Sequence, residues 1–191
     1  MNFLAHIFLS GNNHDLMVGN FIADYVKGRK KDNYPDDIRR GIELHRMIDD
    51  YTDHHAITTI SKNRLRPKYG KYAGVIVDLY YDHFLAKDFD LYSDVGLLLY
   101  TENIYSTLKN YDAWLPEGVR LFFPFMVERN WLLNYATIEG IGRTLTGLSK
   151  RVRFENKMDE SVHDLREQYD DFQNDFNAFF PELITFVASK S

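Results

Sequence analysis

The run His45-Arg46-Met47-Ile48-Asp49-Asp50-Tyr51-Thr52-Asp53 sets an imidazole and two carboxylates at steps of four. At 3.6 residues per turn, positions i, i+4 and i+8 stack along one helix face, so His45, Asp49 and Asp53 face a common region. A hard divalent cation or a phosphate group could sit there. A second polar group, Asp78 with Asp82-His83, interrupts the otherwise apolar stretch from Gly74 to Leu85. A buried carboxylate is costly unless a cation, a proton or hydrogen bonds compensate it. Metal coordination is one such compensation; hydrogen bonds to tyrosine or arginine, or a place on the wet stripe of an amphipathic helix, are the structural alternatives. Recurrence of Asp and His at helix-turn spacing in neighbouring segments favours the metal, because sites in helical proteins are assembled that way.

The N-terminal segment adds Asn20 and Asp24, again four apart, and His6, a lone polar residue within Phe3-Leu4-Ala5-His6-Ile7-Phe8-Leu9. By itself such a histidine reads as a core residue; its company with Asp24 makes it a ligand candidate. The adjacent pair His54-His55 diverges by about 100° on a helix and reads as surface.

These groups need helices to hold them. Apolar residues recur at three- and four-residue intervals over residues 13–30, 36–64, 69–87, 93–111 and 117–134. Turn signals separate them at Gly28, Tyr34-Pro35, Arg66-Pro67-Lys68-Tyr69-Gly70, Leu115-Pro116 and Glu139-Gly140. Asp36 or Asp37 after Pro35 suits an N-terminal cap or a first-turn acid. From Asp159 to about Ala188, Val162, Leu165, Tyr169, Phe172, Phe176, Phe179 and Phe180 form a core stripe that Pro181 kinks or restarts. No hairpin signal appears. The expectation is an all-α fold, one helical domain over residues 1–191.

With no cysteine in 191 residues, a metal would have oxygen and imidazole ligands, which favours manganese, magnesium or iron over structural zinc. A thiol nucleophile is excluded, and Gly-x-Gly-x-x-Gly, Gly-x-x-x-x-Gly-Lys-Ser/Thr and Gly-x-Ser-x-Gly are all missing. The start lacks the basic region and cleavage site of a signal peptide, and no apolar run approaches the roughly 20 residues that span a bilayer. A cytoplasmic protein without a membrane partner is expected. The net charge is −5, yet residues 27–31, 62–71 and 143–153 are basic segments, against an acidic stretch over 155–182. Each run suits a solvated face, but together they suggest an anionic partner or phosphorylated substrate. Nucleic acid is disfavoured, since no binding motif accompanies the charge.

Several motifs occur in order: Asn2-Phe3-Leu4-Ala5-His6; Gly19-Asn20-x-x-Ala23-Asp24; Gly41-Ile42-x-x-His45-Arg46-x-Ile48-Asp49-x-x-Thr52-Asp53; Asp78-x-x-x-Asp82-His83-Phe84-Leu85; Leu145-x-Gly147-Leu148-x-x-Arg151; and Phe179-Phe180-Pro181. In this the chain resembles the bacterial acyl carrier protein phosphodiesterases over its whole length. The resemblance implies a helical bundle like that of the HD phosphohydrolases. It further implies a divalent metal, typically manganese, and hydrolysis of the phosphodiester joining 4′-phosphopantetheine to a serine of holo acyl carrier protein. One departure stands out: the His-Asp doublets His14-Asp15 and His163-Asp164 lie outside the matched motifs, and the order at the second polar group is reversed, Asp82-His83.

On that footing His6, Asp24, Asp78 and His83 are expected as metal ligands, with Asp78 and its neighbour Asp82 favoured for the ion. His45, Asp49 and Asp82 are expected as the catalytic groups that handle protons. Asn20, Arg46, Arg143 and Arg151 are expected to bind substrate, although Arg46 could instead pair with Asp49 or Asp50. The basic segments at 27–31 and 62–71 suit an acidic carrier protein. The alternatives are a metal-dependent phosphohydrolase of a small nucleotide and a non-catalytic helical interaction module.

Overall fold

The computed structural model describes residues 1–190, which contain eleven α-helices and no strand. They are α1 (Phe3–Phe8), α2 (His14–Ile22), α3 (Asp36–His54), α4 (Ala56–Tyr69), α5 (Ala73–Lys87), α6 (Leu97–Asn110), α7 (Glu117–Glu128), α8 (Trp131–Asn134), α9 (Ile138–Arg151), α10 (Ser161–Glu167) and α11 (Tyr169–Ala188). The all-α expectation holds, with changes at the boundaries.

The expected helix over 13–30 stops at Ile22 and continues as short 3₁₀ segments over Ala23–Tyr25 and Gly28–Asn33. The 36–64 segment breaks at His55, whose side chain caps α4 by accepting from the Ile57 N–H. Pro67 does not stop α4: the helix runs to Tyr69 and ends where Gly70 takes φ +53°, a conformation natural to glycine. Pro181 likewise lies inside α11, and the break in that region falls at Gln168 instead.

Glu139-Gly140 is no turn. It opens α9, whose N-terminus is capped by the Thr137 hydroxyl accepting from the Gly140 N–H. A Cβ at Gly140 would stand 1.8 Å from the Asn134 carbonyl oxygen, so this glycine permits close approach to α8. The short α1 over Phe3–Phe8 is a further addition.

One continuous hydrophobic core runs through the bundle. α5 is its axis: from Ile76 to Ala86 all but Asp78 are buried, so it is apolar nearly all round, as a central helix must be. The Phe stripe of α11 packs on it, with Phe172 against Tyr80 at 5.0 Å and Phe176 against Tyr81 at 5.6 Å between ring centroids.

The α2–α3 crossing positions the site. A Cβ on Gly19 would lie 2.0 Å from the Ile38 carbonyl oxygen, and one on Gly41 would lie 2.1 Å from that of Leu16. Only two glycines allow the backbones to meet so closely. The side chains that follow, Asn20 on α2 and His45 one turn beyond Gly41 on α3, are thereby brought within hydrogen-bonding reach.

Candidate metal centre

His45 sits on the buried side of α3 with both ring nitrogens engaged. Its Nδ1 is 2.8 Å from the Asn20 backbone oxygen and 3.2 Å from Asn20 Oδ1. An Nδ1–H donating to that carbonyl fixes the tautomer and turns the Nε2 lone pair outward, the arrangement that orients metal-binding histidines. Nε2 faces Asp49 Oδ2 at 3.1 Å and Asp24 Oδ1 at 3.4 Å. Asp49 is one turn along the same helix, as the spacing predicts.

His6, from α1, lies against the His45 ring with centroids 3.9 Å apart and an interplanar angle of 14°. Its Nε2 approaches the other oxygen of Asp49 at 3.1 Å. Asn20 holds this helix too, since its side-chain amide donates to the His6 carbonyl at 2.7 Å and to Ser10 Oγ at 3.0 Å. One donor atom each from His6, His45 and Asp49 fits within 4.8 Å. Two imidazoles and a carboxylate so placed are a donor set suited to a divalent transition ion, so the residues fit a metal.

The electrostatics show one site rather than separate groups. Burial holds the His6 imidazole down to about 4, and the neighbouring His45 adds to the effect. Burial would lower His45 also, but the hydrogen bonds its ring donates to Asp24 and Asp49 outweigh it and raise it to about 9. Burial pushes the Asp49 carboxyl up; hydrogen bonds from His45 and His6 reverse that and hold it well below the usual carboxylate range. The Asp24 carboxyl is lowered by its hydrogen bond with His45. Asp24 and Asp49 are 67% and 40% exposed, so the cluster opens to solvent on their side.

A model of the acyl carrier protein phosphodiesterase family matches residues 1–183. The chain belongs to that family. Relatives bearing the name acyl carrier protein phosphodiesterase include one from Photorhabdus laumondii, 29% identical across this whole chain and 96% of the relative's length. One from Klebsiella pneumoniae strain 342 is 31% identical, and one from Yersinia enterocolitica 27%, each across all of this chain and 99% of the relative. No solved structure matches.

In this acyl carrier protein phosphodiesterase family member, the second polar group is not part of the cluster in the way its spacing suggests. Asp82 is fully buried, and its two oxygens accept backbone N–H groups of Leu4 at 2.8 Å and of Asn2 and Ala5 at 3.3 Å. It caps the N-terminus of α1, which engages both of its oxygens. Burial lifts its carboxyl to about 7, and the three N–H bonds oppose that rise. Asp82, expected as a catalytic group, is placed by the fold as the cap of α1.

His83, expected as a ligand, turns the other way. Its Nδ1 meets the Tyr135 carbonyl and its Nε2 the Tyr169 hydroxyl, both at 2.8 Å, and it does not converge with His6, His45 and Asp49. Asp78 does lie at the edge of the cluster. The Met1 α-amino nitrogen stands 3.0 Å from its Oδ1 and 3.7 Å from Asp49 Oδ1, bridging the two polar groups. Asp53 is drawn off to Lys62 at 2.7 Å. His54 is exposed as expected, whereas His55 is not a surface group: its side chain is 14% exposed, packs on Phe179 at 4.9 Å between ring centroids and meets Glu182 at 3.1 Å.

The expected substrate-binding residues divide as well. Asn20 is the buried bracket described above. Arg46 pairs with neither Asp49 nor Asp50 but donates to the Val26 carbonyl at 3.2 Å, just past Asp24. Arg143 and Arg151 line a cavity of about 240 Å³ together with Arg129, Asn2, Phe3 and Trp131. Arg129 has no place among the matched motifs. Its signal was the absence of any acid three or four residues away on either side, which leaves a cation without a helical partner.

Proposed function

We propose that this chain hydrolyses the phosphodiester linking 4′-phosphopantetheine to a serine of holo acyl carrier protein, yielding apo carrier protein and free phosphopantetheine. His6, His45 and Asp49 would hold a divalent ion, manganese being the expected one, with Asp24 and Asp78 beside them. Bound there, the ion would supply Lewis acidity toward the phosphoryl group and make an attacking water more acidic. The convergence of His6, His45 and Asp49, in a chain of this family, is the observation that carries the reading.

The remaining chemistry belongs to the side chains. Asn20 holds His45 so that Nε2 faces the reaction side. Asp24 is the most exposed carboxylate of the group, and its neighbour His45 keeps it ionised, which suits it to take the proton from water. The water oxygen forms the new P–O bond and the bond from phosphorus to the serine oxygen breaks. That oxygen must leave with a proton, which the Asp24 carboxyl, having just gained one, can return.

The chain would act as one helical unit on a cytoplasmic protein substrate. No helix of the described residues is long and apolar enough to cross a membrane. Mass spectrometry of holo carrier protein incubated with the purified protein and manganese tests the reading. The expected result is loss of the mass of the prosthetic group, abolished by chelator. An unchanged holo mass at high enzyme concentration refutes it.

A further inference from the structure

The cavity between α8 and α9 takes no part in the chemistry described above. None of His6, His45 and Asp49 lines it, and the charged residues that do are all of one sign. They are Arg129, Arg143 and Arg151, and none of the three forms an ion pair among the described residues. Glu139, the acid one turn before Arg143, is taken by Arg166 at 3.2 Å. Arg143 donates instead to Asn134 Oδ1 at 3.1 Å, and the Arg151 guanidinium lies over the Trp131 ring, 5.7 Å from its centroid. Both heads are held toward α8 by contacts that leave their charge uncompensated.

Two further observations set this cavity apart from a bare basic surface. Gly147 stands in the interior of α9, one turn from Arg143 and one from Arg151, where a glycine costs helix stability. Close packing requires Gly140 in the same helix. No such reason applies to Gly147, because a Cβ there would meet nothing within 4 Å and its φ is not positive. The space its missing side chain leaves open belongs to the cavity, between the two arginines.

The second observation is Tyr135, whose side chain is fully buried. Burial keeps its phenol protonated far above the usual range. The hydroxyl has no hydrogen-bond partner in good geometry, with the Asn2 side chain beside it and the Arg151 charge acting on it. Asn2 and Arg151 line the cavity together with Tyr135, so an unsatisfied hydroxyl closes its inner end. A buried hydroxyl in that state is costly unless a bound group completes it.

These features select a ligand. Guanidinium forks without counter-charge hold phosphate oxygens bidentately, and three of them suit a dianion better than a single carboxylate. A volume of about 240 Å³ is the space of about eight water molecules, enough for a phosphate with a body of about three carbons. The Trp131 ring is stacked on Phe122 at 6.0 Å and covered by Arg151, so it offers no free face to a nucleobase. Phe3 and Leu148 suit an aliphatic body, and the Tyr135 hydroxyl with the Asn2 amide suits a hydroxyl carried on it.

We propose that the cavity lined by Arg129, Arg143, Gly147 and Arg151 is a binding site for a small phosphate monoester of a short polyol, separate from the metal centre. The site stands independently of the proposed hydrolysis.

The test is calorimetric titration of chelated, metal-free protein with sn-glycerol 3-phosphate. Saturable binding with a Kd below about 1 mM is expected. Inorganic phosphate, glycerol and free 4′-phosphopantetheine, the last far too large for the cavity, are each expected to bind at least about tenfold more weakly. R143Q/R151Q is expected to weaken binding at least about tenfold, and R143K/R151K to recover part of the loss. G147L fills the space and improves the helix propensity of α9, so it is expected to abolish binding without lowering the melting temperature. His45→Ala is expected to bind as wild type does. The proposal is overturned by no saturable binding below about 1 mM, by wild-type affinity in G147L or in folded R143Q/R151Q, or by loss of binding in His45→Ala. Binding of inorganic phosphate or 4′-phosphopantetheine as tight as that of the polyol ester overturns it as well. Should R143Q/R151Q fail to fold, G147L decides. Carrier-protein hydrolysis is read in a separate assay, so failure of one reading leaves the other standing.

Discussion

On α3, His45 and Asp49 stand one turn apart with polar atoms facing each other and solvent. On α5, Asp78 and Asp82 stand the same turn apart, and both oxygens of Asp82 are taken up by backbone N–H groups of α1. The spacing is shared, and the partners differ. A carboxylate that meets side chains and the terminal amine of the chain can exchange them for an incoming ion, whereas one that ends a helix is committed to main-chain N–H groups. The two regions also depend on each other. Asp82 fixes the start of α1, and α1 carries His6 into the cluster, so the capped group is the foundation of the reactive one.

Substitutions separate these roles most sharply at His45 and Asp49. His45→Ala or Asp49→Ala is expected to lower manganese content and carrier-protein hydrolysis by at least about 100-fold while the fold persists. Metal analysis with circular dichroism checks both halves. Asp82→Ala is expected to do the reverse, costing about 3 kcal/mol of stability by removing the acceptor of three buried N–H groups. Urea unfolding measures it, and a variant as stable as wild type but inactive would return Asp82 to a catalytic role.

The next effect is one of pH on metal-free protein. His45 has its pKa raised to about 9 in the fold, so its contribution is full below its ordinary value near 6.5 and is lost as pH rises through about 9. Asp49, held low, contributes above the usual carboxylate range and loses that contribution in acid. Chelated protein is therefore expected to lose on the order of 2 kcal/mol between pH 6.5 and 9. His45→Gln is expected to flatten that slope.

Asn20→Ala, which frees the His45 ring without removing a ligand, is expected to lower activity by about tenfold. The smallest effect belongs to His83→Gln. It is expected to cost about 1 kcal/mol, through its bonds to Tyr135 and Tyr169, with metal content unchanged. A loss of metal in that variant would break the contrast between the two regions.

Much of this was legible in the residue order. Helical period placed His45 over Asp49, and the apolar run from Gly74 to Leu85 marked a central helix. What spacing cannot show is what a side chain meets across the fold. Asp82 looked reactive because its partners are main-chain atoms of a segment about eighty residues earlier, itself too short to read as a helix. Gly140 looked like a turn because a glycine needed for close packing carries the same letter as one needed for positive φ. His83 and Asp82 are adjacent, and helix geometry sends them about 100° apart, one to α1 and the other to Tyr135.

The contact of Gly19 with α3 and of Gly41 with α2 has a practical corollary for heat. No side chain lies between the two backbones there, so no rotamer can loosen the joint while the surrounding helices remain packed. The bracket from Asn20 to His45 therefore keeps its shape until α2 and α3 separate altogether. On warming, catalysis and tertiary packing are expected to vanish at one temperature, with no range in which an intact bundle carries a slackened centre.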